Sequence, residues 1–202
     1  MNDFKSEAIA STATPEWKLP STRKVGMISL IVTETALFSI FVVAYVFYIG
    51  KSLNPPFPRQ ILEWPIFASV ALLSSSGTII FAEKALHKKK LNGFHFWWLV
   101  TIILGAIFLG YTAHEWYEFI YHHHFTLNTN VFGSTFYSLV GLHASHVIIG
   151  LILLSTVLIL SMMGKIKKEH HEHVEMISWY WHFVDAIWIV VFTIVYVVSY
   201  YA

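Results

Sequence analysis

Cysteine is absent from the 202 residues. That excludes disulfides, a CxxCH heme attachment, iron–sulfur clusters and any thiolate metal site. A metal or heme would fall to His, Met or carboxylate, and twelve histidines keep that question open. Charge is nearly as scarce. Only 12% of residues are charged, about half the fraction usual in a soluble domain, while 56% are apolar. The solvent expected for such a chain is lipid. The net charge of +1 gives no pull toward nucleic acid, because the basic residues are spread through connectors and form no binding face. An early apolar run is also missing. The chain opens MNDFKSEAIASTATPEWKLPSTRK, which reads against a cleaved secretory signal. Pro15 and Pro20 make residues 1–24 an irregular arm leading into the membrane.

Crossing a bilayer as a helix takes about 20 apolar residues. Five stretches qualify: 25–49, 64–86, 94–119, 134–163 and 176–200. The fourth is long enough to tilt or to project into water. Short polar connectors leave no room for a second domain, so residues 25–202 read as a single all-α bundle of five transmembrane helices. No internal repeat is visible. Lys and Arg set the direction. Lys5, Lys18, Arg23, Lys24, Lys84, Lys88, Lys89, Lys90, Lys165, Lys167 and Lys168 share one side, and only Lys51 and Arg59 occupy the other. Eleven against two places the N-terminus in the cytoplasm and the C-terminus outside. Trp64, Trp97, Trp98, Trp116 and Trp179 lie near span ends, where aromatic belts form.

Ionisable groups within spans carry the most information, since an uncompensated charge at mid-bilayer costs at least about 2.5–3.5 kcal/mol. Glu34 lies in the first span, His143 and His146 in the fourth, and His182 and Asp185 in the fifth. Glu115 and Glu118 lie toward the outer end of the third. At 1.5 Å per residue, Glu34 and Asp185 are each roughly 14 Å deep, and His146 is roughly 12 Å from the inner surface. These three are expected to share one layer, facing the bundle interior and neutralising one another, with Ser29, Thr33 and Ser145 adding donors. The i,i+3 spacing puts His143 and His146 on one helix face, and likewise His182 and Asp185. Three readings stand: helix-gluing contacts, a proton relay, and an indirect effect on the proton or lipid surroundings of a partner. His122, His123 and His124 form an outer cluster, and His170, His171 and His173 an inner one. Both read as solvated loops with some capacity to buffer protons or bind metal adventitiously.

Other classes fit this inventory in part. A membrane enzyme with histidine-bound iron would explain many His and five spans, but it needs His boxes on one face. Here the two His clusters lie on opposite sides, and HHEH has the wrong spacing. A b-heme subunit would use His143, His146 or His182 as axial ligands. A small proton-coupled transporter would use Glu34 and Asp185.

Several ordered motifs narrow the choice. GMISLIVTETALF carries Glu34. PIFASVALLSSSGTIIFA follows in the second span, and GYTAHEWYEF carries Glu115 and Glu118 in the third. In the fourth, NVFGSTFYSLVGLHASHVIIG supplies Gly133, Ser134, Phe136, Gly141, His143, His146 and Gly150. The fifth has SWYWHFVDAIWI. Together these resemble subunit III of heme-copper oxidases, the cytochrome c and quinol oxidases, in its five-helix bacterial form. The likeness covers about residues 23–200. Ala68, Thr112, Val140 and Ala144 depart from the family's common Asn, Gln, Thr and Gly.

The resemblance implies a non-catalytic subunit of a proton-pumping terminal oxidase in the bacterial cytoplasmic membrane. On this reading the chain holds no redox centre and no metal. It packs on subunit I, which holds the heme and copper, within a complex that also contains subunit II. It supports assembly and sustained proton uptake, and it binds phospholipid in a cleft between helices. Glu34 falls on the family's carbodiimide-reactive carboxylate. Arg23 and Lys24 are candidates for lipid headgroups. The electron donor, cytochrome c or quinol, stays open.

Overall fold

The computed structural model describes residues 21–165 and 171–201. Their regular elements are all helices, with no strand among the described residues. Helix α1 spans Thr22–Tyr48, a short α2 Pro58–Ile61, α3 Ile66–His87, α4 Leu91–Tyr121, α5 Val131–Met162 and α6 His171–Phe192. The last helix widens into a π-helical stretch over Thr193–Val198 and ends in a turn at Ser199–Tyr201. Five helices are long and apolar enough to cross a membrane.

Local chemistry sets the boundaries. The Ser21 side chain caps α1 by accepting from the Lys24 backbone N–H at 3.4 Å. Asn130 caps α5, its side chain accepting from Gly133 N at 2.8 Å. The turn between α3 and α4 places Lys89 at φ 56, and Gly164 after α5 adopts φ 68, where glycine carries no Cβ penalty. Several helices run past the predicted spans. α4 begins at Leu91, and α6 begins at His171, so His171 and His173 sit in a helix rather than a loop. Arg23 and Lys24 belong to the first turn of α1 and not to an arm. The rest of the expected arm, residues 1–20, and His170 lie outside the described residues.

Helices α3 and α4 form a tight hairpin. α5 packs on α4 and α6, α6 also packs on α3, and α1 lies in the groove between α5 and α6. One side chain ties the centre together. Trp181 of α6 is fully buried, and its indole N–H donates to Ser75 Oγ of α3 at 2.8 Å. Its ring fills space left by two glycines: a Cβ on Gly105 of α4 or on Gly150 of α5 would fall 2.7 Å from it. Small residues let membrane helices approach this closely. Two more indoles bridge helices, Trp98 to the Leu154 carbonyl at 2.8 Å and Trp188 to Ser69 Oγ at 3.1 Å. Trp98 therefore belongs to the core and not to an interfacial belt; its N–H finds a partner only inside the bundle.

Candidate functional site

The polar residues of the spans divide between two seams. In the seam of α1 and α5, Glu34 Oε2 lies 3.1 Å from His146 Nε2. His146 Nδ1 is 2.8 Å from the Leu142 carbonyl, which can only accept, so Nδ1 carries a proton. Nε2 then meets Glu34 through a second proton, held either by the carboxyl or by an imidazolium. The pair is enclosed but not sealed, with side-chain exposures of 24% for Glu34 and 10% for His146. Phe38 packs against the imidazole, its ring centroid 4.9 Å away.

In the seam of α3 and α6, Asp185 Oδ2 accepts a hydrogen bond from Ser76 Oγ, and His182 Nδ1 lies 3.0 Å from the same hydroxyl. Glu34, His146 and Asp185 are thus not one mutually neutralising layer: Asp185 is served by a serine of α3. Thr33 and Ser145 do not join it either. They donate to their own helix carbonyls, Leu30 at 2.8 Å and Leu142 at 2.6 Å, as hydroxyls inside helices commonly do, and Ser29 is exposed. His143 is boxed between the seams. Its ring stacks on Trp188 at 5.0 Å and 29° and meets the edge of Phe108 at 5.8 Å. Neither ring nitrogen has a partner among the described residues.

The carboxylates of α4 face a cavity of about 280 Å³ at the end of the bundle away from the lysine-rich loops, lined in part by Glu63, His114, Glu115, Glu118 and His123. The Tyr196 hydroxyl sits 3.3 Å from both oxygens of Glu115. Glu118 is 3.7 Å from His122. Among the described residues, no group of three His, Asp or Glu is placed to hold a metal ion. At the lysine-rich end, Lys24 Nζ pairs with Glu175 at 3.0 Å and Arg23 with Glu172 at 3.8 Å. Both headgroup candidates therefore also staple α1 to α6.

The family model described as Cytochrome c oxidase subunit III matches residues 3–200. The chain belongs to the cytochrome c oxidase subunit III family. It is 33% identical over 183 residues to the cytochrome c oxidase subunit 3 of Thermostichus vulcanus, covering 89% of both chains. It is 36% identical to that of Synechocystis, over 88% of this chain and 76% of the relative. With that of Bacillus subtilis the figure is 32%, over 82% and 81%. Two of the motifs quoted from the sequence also build the core: residues 179–188 supply Trp181, Asp185 and Trp188, and residues 141–150 supply His143, His146 and Gly150. Ser76 holds the buried Asp185 and Tyr196 the half-buried Glu115, and neither stood out in the sequence. Three serines in a row at 74–76 were the available signal for the first. Nothing in the local pattern marks the second.

Proposed function

We propose that this chain is the accessory subunit III of a respiratory heme-copper oxidase: it packs on subunit I in a complex with subunit II, supports assembly, and sustains proton uptake through many turnovers. The family match over residues 3–200 carries this reading. The histidines add support. A heme ligand needs a free ring nitrogen and room beside it for a porphyrin. His146 is committed at both ring nitrogens, to Leu142 and Glu34, and His143 is walled in by aromatic rings. Heme and copper belong to subunit I on this reading. The lysine-rich end faces the cytoplasm, and the complex resides in the bacterial cytoplasmic membrane.

Phospholipid is the one non-protein group proposed on this chain. A cavity of about 440 Å³ between α5 and α6 has apolar walls from Val157, Leu160, Val174 and Ile177, with Lys165 and His173 on its lining. Apolar walls beside a cation suit an acyl chain below an anionic headgroup. Lys24 and Arg23 add positive charge at the same end, partly neutralised by Glu175 and Glu172.

Removing the subunit tests the proposal. The remaining oxidase should start at near-normal rate and lose activity during turnover, while its heme spectrum stays intact. Glu34→Gln should keep heme content and initial activity and should abolish carbodiimide labelling at that position. Loss of oxygen reduction from the first turnover in Glu34→Gln would falsify the accessory role.

A further inference from the structure

The α3–α6 seam holds a hydrogen-bonded chain that the accessory role does not use. Asp185 is 3% exposed. One of its oxygens, Oδ1, has no partner among the described residues, and the other takes the Ser76 hydroxyl. Ser76 Oγ in turn lies 3.0 Å from His182 Nδ1. A hydroxyl has a single proton, so the direction of both bonds depends on where that proton points.

With Asp185 as carboxylate, Ser76 donates to Oδ2 and must accept from His182 Nδ1–H. The ring's Nε2 is then an open lone pair. With Asp185 protonated, both bonds reverse. Oδ2–H donates to Ser76, Ser76 donates to His182 Nδ1, and the ring proton sits on Nε2. The two arrangements differ by one proton and by no heavy-atom movement. A proton arriving at Nε2 moves the Nδ1 proton to Ser76 and the Ser76 proton to Asp185. It leaves by the same steps in reverse.

Direction follows from the helices. Ser76 precedes the end of α3 at His87 by 11 residues, roughly 16 Å. Glu83 precedes it by 4, roughly 6 Å, and so lies nearer the lysine-rich end than Ser76. His182 is half-buried while Asp185 is closed off. From the lysine-rich end inward the order of the bonded groups is therefore His182, Ser76, Asp185. The other ionisable groups on packed elements stay outside this line. Lys84 of α3 is exposed, Glu34 of α1 is held by His146, and His143 of α5 is stacked on Trp188.

We propose that His182 and Ser76 form a proton wire that loads and unloads Asp185 from the lysine-rich end of the bundle. Proton uptake there removes a buried charge whose Oδ1 makes no hydrogen bond among the described residues.

Infrared difference spectroscopy of the purified oxidase complex containing this chain tests it. A pH step should produce a carboxylic C=O band that Asp185→Asn removes. On transfer to heavy water, the deuterium shift of that band should slow at least about a hundredfold in Ser76→Ala, the scale of a positioned proton-transfer group. Ser76→Thr, which keeps a hydroxyl, should restore it. Should Ser76→Ala fail to assemble, His182→Gln is read in its place and should show the same slowing. A band untouched by Asp185→Asn overturns the proposal, and so does wild-type exchange in Ser76→Ala or, in its place, in His182→Gln. The readout needs no turnover, so it succeeds or fails apart from the accessory role.

Discussion

Helices α1 and α6 each carry a carboxylate at membrane depth, in opposite surroundings. Within its most apolar stretch, 11% of α1 is buried, against 39% of α6. α1 buries only Phe38 and Tyr45 and shows Val32, Ile40, Val43 and Phe47 to its surroundings. Glu34 meets one partner along a thin line of contact. α6 is wedged among α1, α3 and α5, and Asp185 belongs to a chain of polar groups. The difference shows where the fold is held. α6 organises the bundle through packing, and α1 is attached to it by the Glu34–His146 pair, by the Tyr45–Ser199 hydrogen bond and by the ionic staples at the lysine-rich end.

The largest expected effect separates these two helices. Trp181→Ala removes a fully buried indole, its bond to Ser75 and the filling of both glycine notches. The expected loss is about 3–5 kcal/mol, seen as a lower unfolding temperature or loss of the subunit during purification. Val32→Ala on α1, at 62% exposed, should stay within about 0.5 kcal/mol. Equal effects at the two sites would erase the distinction between an organising helix and an attached one.

The glycine notches come next. Gly150→Ala puts a methyl 2.7 Å from the Trp181 ring, which is pinned by Ser75 and cannot swing away. Overpacking of this kind costs about 1–3 kcal/mol. Gly110→Ala is the control, because nothing lies within 4 Å of the added carbon. The thermal unfolding of the two variants should differ clearly. If both unfold like the parent, α5 and α6 have room to part.

These contrasts also show what was legible in the chain. Hydropathy located all five spanning helices, because lipid imposes length and apolarity directly on the sequence. Helix ends were less visible. α6 starts at His171 because its first turns carry histidines and glutamates that a hydropathy count reads as loop. The ionisable residues stood out by type, and depth along each axis put Glu34, His146 and Asp185 in one layer, of which Glu34 and His146 meet. Depth does not report how each helix is rotated about its axis. Asp185 lies at similar depth, but its carboxylate meets α3, whose Ser76 looks like any small residue in a membrane helix. Trp98 was misread for the same reason: closeness to a span end fixes its height and not the face it occupies.

The attached helix makes a smaller prediction. In a double-mutant cycle on Glu34→Gln and His146→Ala, the coupling energy should be about 0.6–1.7 kcal/mol, the range for polar pairs between membrane helices. The pair is partly exposed, which keeps the figure toward the lower end. Unfolding of the purified subunit in mixed micelles would measure it. A coupling near zero would leave the attachment of α1 to packing at Phe38 and Tyr45, to the Tyr45–Ser199 hydrogen bond and to the ionic staples.

Among the core substitutions, the smallest effect is expected from His143→Phe, although His143 is a fully buried histidine. Its ring contributes shape: it stacks on Trp188 and meets the edge of Phe108. Its nitrogens contribute no bond to the described residues, and an unmatched buried polar group costs about 1–3 kcal/mol. His143→Phe keeps a flat ring and removes both unmatched atoms, but it adds volume to a tight box, at a similar cost. The two nearly cancel, so stability should change by less than about 1 kcal/mol, with subunit assembly intact. His143→Ala loses the stacking and leaves a cavity, and should cost about 2 kcal/mol or more. Thermal unfolding of both variants decides between shape and polarity. If Phe is as damaging as Ala, a nitrogen of His143 has a partner in the assembled oxidase, and the box between the two seams is polar in function as well as in composition.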